Sequence, residues 1–161
     1  MHRVAQFFGH LTARVDPGEE AAARRLLPES AWPLFAAMPT ADRRHALDVV
    51  GRLIAAGQAD GDLLAAAMLH DAAKGHRLRL WHRVAGVMLQ AVAPRALGRL
   101  AIEDEGSWRF PFYLFLHHAA LSAAAALRAG CSTRTSALID GTATSGDVAL
   151  LAALRRADEA S

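Results

Sequence analysis

Apolar side chains recur every three or four positions through most of this chain, and proline, glycine and small polar residues punctuate the pattern. Asp16 before Pro17 reads as an N-cap with proline at the first helical position, and Glu19 and Glu20 follow in the first turn. That helix is predicted to run to about Leu27, where Pro28 stops it. Residues 30–38 read as a short helical piece interrupted by Pro33 and closed by Pro39. Thr40 is placed to cap the next helix, whose stripe of Ala46, Val49, Val50, Leu53 and Ile54 ends before Gly57. After a turn at 59–62, a strongly apolar helix is predicted over 63–73, ending near Gly75. Helices follow over 78–93, from Pro94, over 112–129 with Gly130 as the stop, from Ser132 to Ile139, and over 147–160. Residues 103–109 and 140–146 read as loops. There is no internal repeat and no low-complexity linker, so a single all-α domain of about eight to ten helices is expected. Residues 1–39 form its N-terminal helical extension and 40–161 its core.

Composition supports the same class. The 161 residues are 53% hydrophobic, too apolar for disorder and sized for one domain. The chain holds 37 alanines and 22 leucines, few Val and Ile, and only 6% aromatics, which favours helices over strands. Eighteen basic residues against 16 acidic ones leave a net charge of +2, too small an excess for an obligate nucleic-acid binder. A single cysteine, Cys131, makes no internal disulfide and fits a reducing cytoplasm. Residues 1–15 lack the apolar run of a signal peptide. Residues 110–127 carry no formal charge between Arg109 and Arg128, as a membrane span would. Pro111, Ser122 and the pair His117-His118 near the middle instead point to a buried helix, and no membrane partner is expected.

The chemistry gathers at few positions. His70-Asp71 ends an apolar helix, where packing alone gives no reason for an imidazole and a carboxylate. Adjacent helical side chains diverge by about 100°, yet both reach one ion lying in the groove against a neighbouring helix. Neutral imidazole with carboxylate suits a divalent metal. Lys74, four after His70 and three after Asp71, shares their helix face and offers an ammonium to a phosphoryl oxygen.

His45, then His70-Asp71, then Asp158 in Leu154-Arg155-Arg156-Ala157-Asp158 resembles the H…HD…D metal motif of the HD-domain superfamily. His70-Asp71-Ala72-Ala73-Lys74 is similar to the His-Asp-x-x-Lys form of that motif, and His118 in His118-Ala119-Ala120-Leu121 resembles the extra histidine of the HDIG-like branch. The resemblance spans about Arg43 to Asp158. It implies a compact HD-type helical bundle and a cytoplasmic metal-dependent phosphohydrolase that cleaves a phosphate mono- or diester, nucleotides included. It further implies His45, His70, Asp71 and Asp158 as ligands of one divalent ion (Mn, Fe, Mg, Co, Ni or Zn). Asp71 and Lys74 would be catalytic, with His118 and Arg77 at a substrate phosphate or a second metal. The family's second-metal histidine has no counterpart in 139–144, and the Gly-Tyr-Pro signature of cyclic-dinucleotide phosphodiesterases is absent. A catalytically degenerate module that binds a nucleotide or a protein partner in signalling is therefore the alternative.

Plainer readings exist for each residue. His45 could sit on a helix surface between arginines, His70 and Asp71 could cap a helix and form an ion pair, and Asp158 could be a solvated acid. Lys74, Arg77, Arg79, His82 and Arg83 could be solvated, His117 and His118 core residues, and Trp81 a packing residue. Asp48 is placed to orient His45. His2, His10 and His76 show no partner pattern. Cys131 has no basic partner to activate it, and no Gly-x-Ser-x-Gly elbow occurs.

Overall fold

The computed structural model describes residues 15–161, and every regular element among them is helical. Nine α-helices follow in order: α1 (Pro17–Arg24), α2 (Trp32–Ala36), α3 (Thr40–Ala55), α4 (Gly61–Leu69), α5 (Leu80–Val92), α6 (Pro94–Leu100), α7 (Phe110–Arg128), α8 (Thr133–Asp140) and α9 (Val148–Glu159). Short 3-10 turns at Glu29–Ala31 and Ser145–Asp147 lead into α2 and α9. The all-α class expected from composition is the class observed. His2 and His10 lie outside the described residues.

Local chemistry sets the helix ends. Asp16 Oδ1 accepts from the backbone N–H groups of Gly18 and Glu19, Asp60 Oδ1 from that of Leu63, and Ser132 Oγ from that of Thr135, all at 2.8–3.0 Å. Each bond satisfies a donor that a helix N-terminus leaves without an intrahelical acceptor. The Asp60 cap starts α4 before the hydrophobic run does. Thr40 lies inside α3, and the preceding Pro39 makes no side-chain cap. Gly130 and Gly141 close α7 and α8 at φ +90° and +79°, a region that a Cβ disfavours.

The central helix is α4. Every residue from Leu63 to Leu69 is buried, as a helix apolar on all sides must be. α2, α3, α7, α8 and α9 pack around it, with α7 along α8 and α9 along α3. α5 and α6 pack on each other and on α7, outside this group. The approach of α5 to α7 is close: a Cβ at Gly86 would lie 2.8 Å from the Phe115 ring.

Other expectations give way too: α1 ends at Arg24 rather than near Leu27. α4 stops at Leu69 rather than near Ala73, and residues 70–77 form turns. The Ala73 N–H donates to Ser122 Oγ on α7 at 3.0 Å, while that of Ala72 bonds back only three residues, to Leu69. The helical ladder is thereby diverted to a neighbouring element. Ile54, assigned to the stripe of α3, is 54% exposed, because Ala46, Val49, Val50 and Leu53 already fill the buried face. Trp81 is equally exposed, because the covered face of α5 carries His82 and Gly86.

α7 is long and apolar enough to cross a membrane by length and composition. Here it packs against α4, α5 and α8 and carries His118 and Ser122 to the end of α4.

Candidate metal centre

Three helices meet the C-terminal end of α4. His70 is the cap residue there, and carbonyls without intrahelical donors give that end a partial negative charge favourable to a cation. α3 contributes His45, α9 contributes Asp158 and α7 contributes His118. His45 Nε2 lies 2.8 Å from Asp158 Oδ1. His70 Nε2 lies 3.5 Å from Asp158 Oδ1 and 3.5 Å from Asp71 Oδ2. One ligand-type atom each from His45, His70 and Asp158 falls within 4.8 Å of the other two. A divalent ion with nitrogen and oxygen ligands at about 2.0–2.2 Å can bridge that span. Asp71 abuts the triangle through His70.

Backbone carbonyls fix the imidazoles. His70 Nδ1 is 2.9 Å from the Ala67 carbonyl, which only accepts, so Nδ1 carries the hydrogen. Nε2 of the neutral ring then turns its lone pair toward the carboxylates. His118 repeats the arrangement: Nδ1 donates to the Phe115 carbonyl at 3.0 Å, and Nε2 faces Asp71 Oδ1 at 3.8 Å. Outer bonds of this kind orient metal-binding histidines. They leave His70 Nε2 and Asp71 Oδ1 buried with no hydrogen bond. Acceptors facing one another in a buried setting are costly, and a cation or a proton between them removes the cost.

The electrostatics agree. Burial opposes ionisation of Asp71, but His70 and Lys74 outweigh it and hold the carboxyl at about 2. Burial likewise opposes ionisation of Asp158, and the hydrogen bond with His45 together with the nearby His70 imidazole pulls its carboxyl far below the ordinary range. Burial pushes the His70 pKa down, yet Asp71 and Asp158 more than offset this and leave it raised. His118 is shifted the other way, by burial and then by Lys74, which favours its neutral form. Lys74 Nζ sits 2.5 Å from Asp71 Oδ2 and is the chain's single lysine.

The structure brings His45, His70, Asp71, Lys74, His118 and Asp158 together and leaves other candidates apart. Arg77 is turned away: it donates to the Glu105 carbonyl and stacks over Phe110. Asp48 does not orient His45; it is exposed and pairs with Arg44 at 2.8 Å. Arg83 is not solvated but donates to both oxygens of buried Asp42 at 2.9 Å. His82 is buried, with Nδ1 accepting from the Arg79 N–H at 3.2 Å. His117 packs on Tyr113 at 4.5 Å between rings. Cys131 is buried, and burial raises its thiol pKa.

Sequence reasoning missed one positioning residue. Ser122 is fully buried and holds the Ala73 N–H, fixing the turn that carries Asp71 and Lys74. The signal was a lone serine in an alanine-rich run, one helical turn after His118 and so on the same face. Comparison with known protein families, with curated proteins and with solved structures found no match.

Proposed function

We propose that this chain is a metal-dependent phosphohydrolase of the HD-domain type, acting on a small phosphate mono- or diester such as a nucleotide. What supports it most is the pair of buried acceptors without hydrogen bonds, His70 Nε2 and Asp71 Oδ1, beside the cluster of His45, His70 and Asp158. Mixed imidazole and carboxylate donors at a helix C-terminus fit a divalent cation. His45, His70 and Asp158 would hold it, with Asp71 completing the set. When bound, the ion supplies Lewis acidity toward a phosphoryl oxygen and lowers the pKa of a coordinated water.

The remaining work falls to the chain's own groups. Asp71 positions the Lys74 ammonium, which faces negative charge developing on the phosphate. His118, kept neutral with its Nδ1–H on the Phe115 carbonyl, offers Nε2 as an acceptor for a substrate or water proton. Partial burial strengthens both interactions. The test joins elemental analysis of protein purified without chelator to a hydrolysis screen of aryl phosphates and nucleotides. Stoichiometric metal with turnover supports the reading, and Asp71→Ala protein that keeps full activity contradicts it.

A second reading, a degenerate module that binds nucleotide without turnover, is favoured by one observation. His45 with Asp158, and Lys74 with Asp71, already satisfy one another directly. Metal-free protein that binds nucleotide and never hydrolyses it would select this reading.

A further inference from the structure

The outer face of α5 has no covering element among the described residues. Leu80, Trp81, Val84, Val87, Met88 and Val92 lie on one side of the helix at helical spacing, and all are exposed, Met88 by 63% and Val92 by 80%. Single exposed apolar residues are ordinary; a contiguous stripe of six marks an interaction surface. Trp108 extends it from the loop before α7. The rings of Trp81 and Trp108 both stand edge-on to Phe112, at 6.3 and 6.5 Å between centroids.

Charge along α5 and α6 is of one sign. From Lys74 to Ile102 the chain has no Asp or Glu. Lys74, Arg77 and Arg83 are paired with Asp71, Glu105 and Asp42. Arg79 before α5, and Arg95 and Arg99 after it, are exposed and make no ion pair among the described residues. Three exposed acids follow in the loop before α7: Glu105 meets Arg77, Glu103 accepts from the Tyr113 hydroxyl, and Asp104 accepts from the Gly106 N–H.

We propose that this face docks on an anionic lipid bilayer, with α5 lying in the plane of the surface. Apolar side chains would enter the acyl boundary, the two indoles would sit at headgroup depth, and Arg79, Arg95 and Arg99 would reach the lipid phosphates. A second copy of the chain is the weaker occupant. Pairing two cation-only segments face to face sets like charges together, whereas anionic headgroups neutralise them. A helix lying on the surface does not span it, so α7 keeps its place against α4, α5 and α8 and the bundle stays intact.

Flotation of the full chain with vesicles tests this, comparing pure phosphatidylcholine with a mixture containing about one third phosphatidylglycerol. The protein is expected to float with the anionic vesicles and to be released by salt. Val84→Glu with Met88→Glu should weaken partitioning at least about tenfold, and Arg95→Gln and Arg99→Gln about fivefold each. All four side chains are exposed, so thermal unfolding should stay unchanged. The proposal is overturned if wild type does not float with anionic vesicles, or if the glutamate pair floats like wild type. A lipid-free dimer in sedimentation equilibrium that the glutamate pair separates overturns it equally.

Discussion

α4 and α5 are both strongly apolar helices, and they end up in opposite surroundings. α4 is enclosed by five neighbours and has no outward face, so its hydrophobic pattern is fully used in folding. α5 is held from one side only, by Gly86 against Phe115, by buried His82, and by the Arg83–Asp42 pair. Its other apolar side is left to solvent. An apolar stripe thus states a demand for a partner and not which partner meets it. Enclosure of α4 also delivers its C-terminal end, with its partial negative charge, into the middle of the bundle. There imidazoles from α3 and α7 and a carboxylate from α9 can be aimed at it.

Truncation should separate the two helices most sharply. Leu69→Ala or Met68→Ala is expected to cost about 2–5 kcal/mol, since both side chains are fully buried. Met88→Ala should stay within about 0.5 kcal/mol. Chemical denaturation measures both, and equal costs would erase the contrast.

The attachment of α5 gives the next effects. Arg83→Met leaves Asp42 buried without its partner and should cost about 3 kcal/mol in the same assay. Gly86→Ala drives a Cβ into the Phe115 ring and should cost about 1–3 kcal/mol, partly recovered by Phe115→Leu.

At the end of α4, Ser122→Ala strips the Ala73 N–H of its acceptor. About 1 kcal/mol should be lost, with metal affinity falling about tenfold as the Asp71 turn loosens. Binding titrations with wild type and variant separate the two effects.

The smallest effect is a pH signature. His70 is raised above its ordinary value when no metal is bound, so the stability it adds is full below about 6.5 and is lost as pH climbs through the higher folded value. Asp71 contributes oppositely: its lowered pKa gives stability present above about 4 and lost as pH falls toward about 2. Metal requires neutral His70, so stabilisation by Mn²⁺ should grow over the interval in which the metal-free protein weakens. Thermal unfolding from mildly acid to mildly alkaline pH, with and without Mn²⁺, checks the crossing; parallel curves would contradict it.

Much of the fold was legible because its starts and stops are local. Asp16, Ser132 and Gly130 act through side-chain oxygen or backbone conformation within a few residues, and each was readable as a string. The site was legible in part. Order along the chain singles out His45, His70 and Asp158, and the bundle brings them within one ion's reach. What escaped depends on tertiary placement. Arg77 follows the loop that carries Glu105, and Asp48 is claimed by Arg44 one turn earlier on α3. The early end of α4 depends on a serine on α7, far along the chain. Periodicity identifies an apolar face without saying whether anything lies against it, and Trp81 packs on His82 and Phe112 while staying half exposed.

The proposed hydrolase requires a cation at the C-terminal end of α4, between His45, His70 and Asp158. Titration of metal-free protein with Mn²⁺, reading the free ion by electron paramagnetic resonance, tests it most directly. Wild type should show a saturable site, weakened by more than about a hundredfold in folded His70→Ala protein. Wild type that leaves Mn²⁺ free throughout, or His70→Ala protein that binds it equally well, would contradict it.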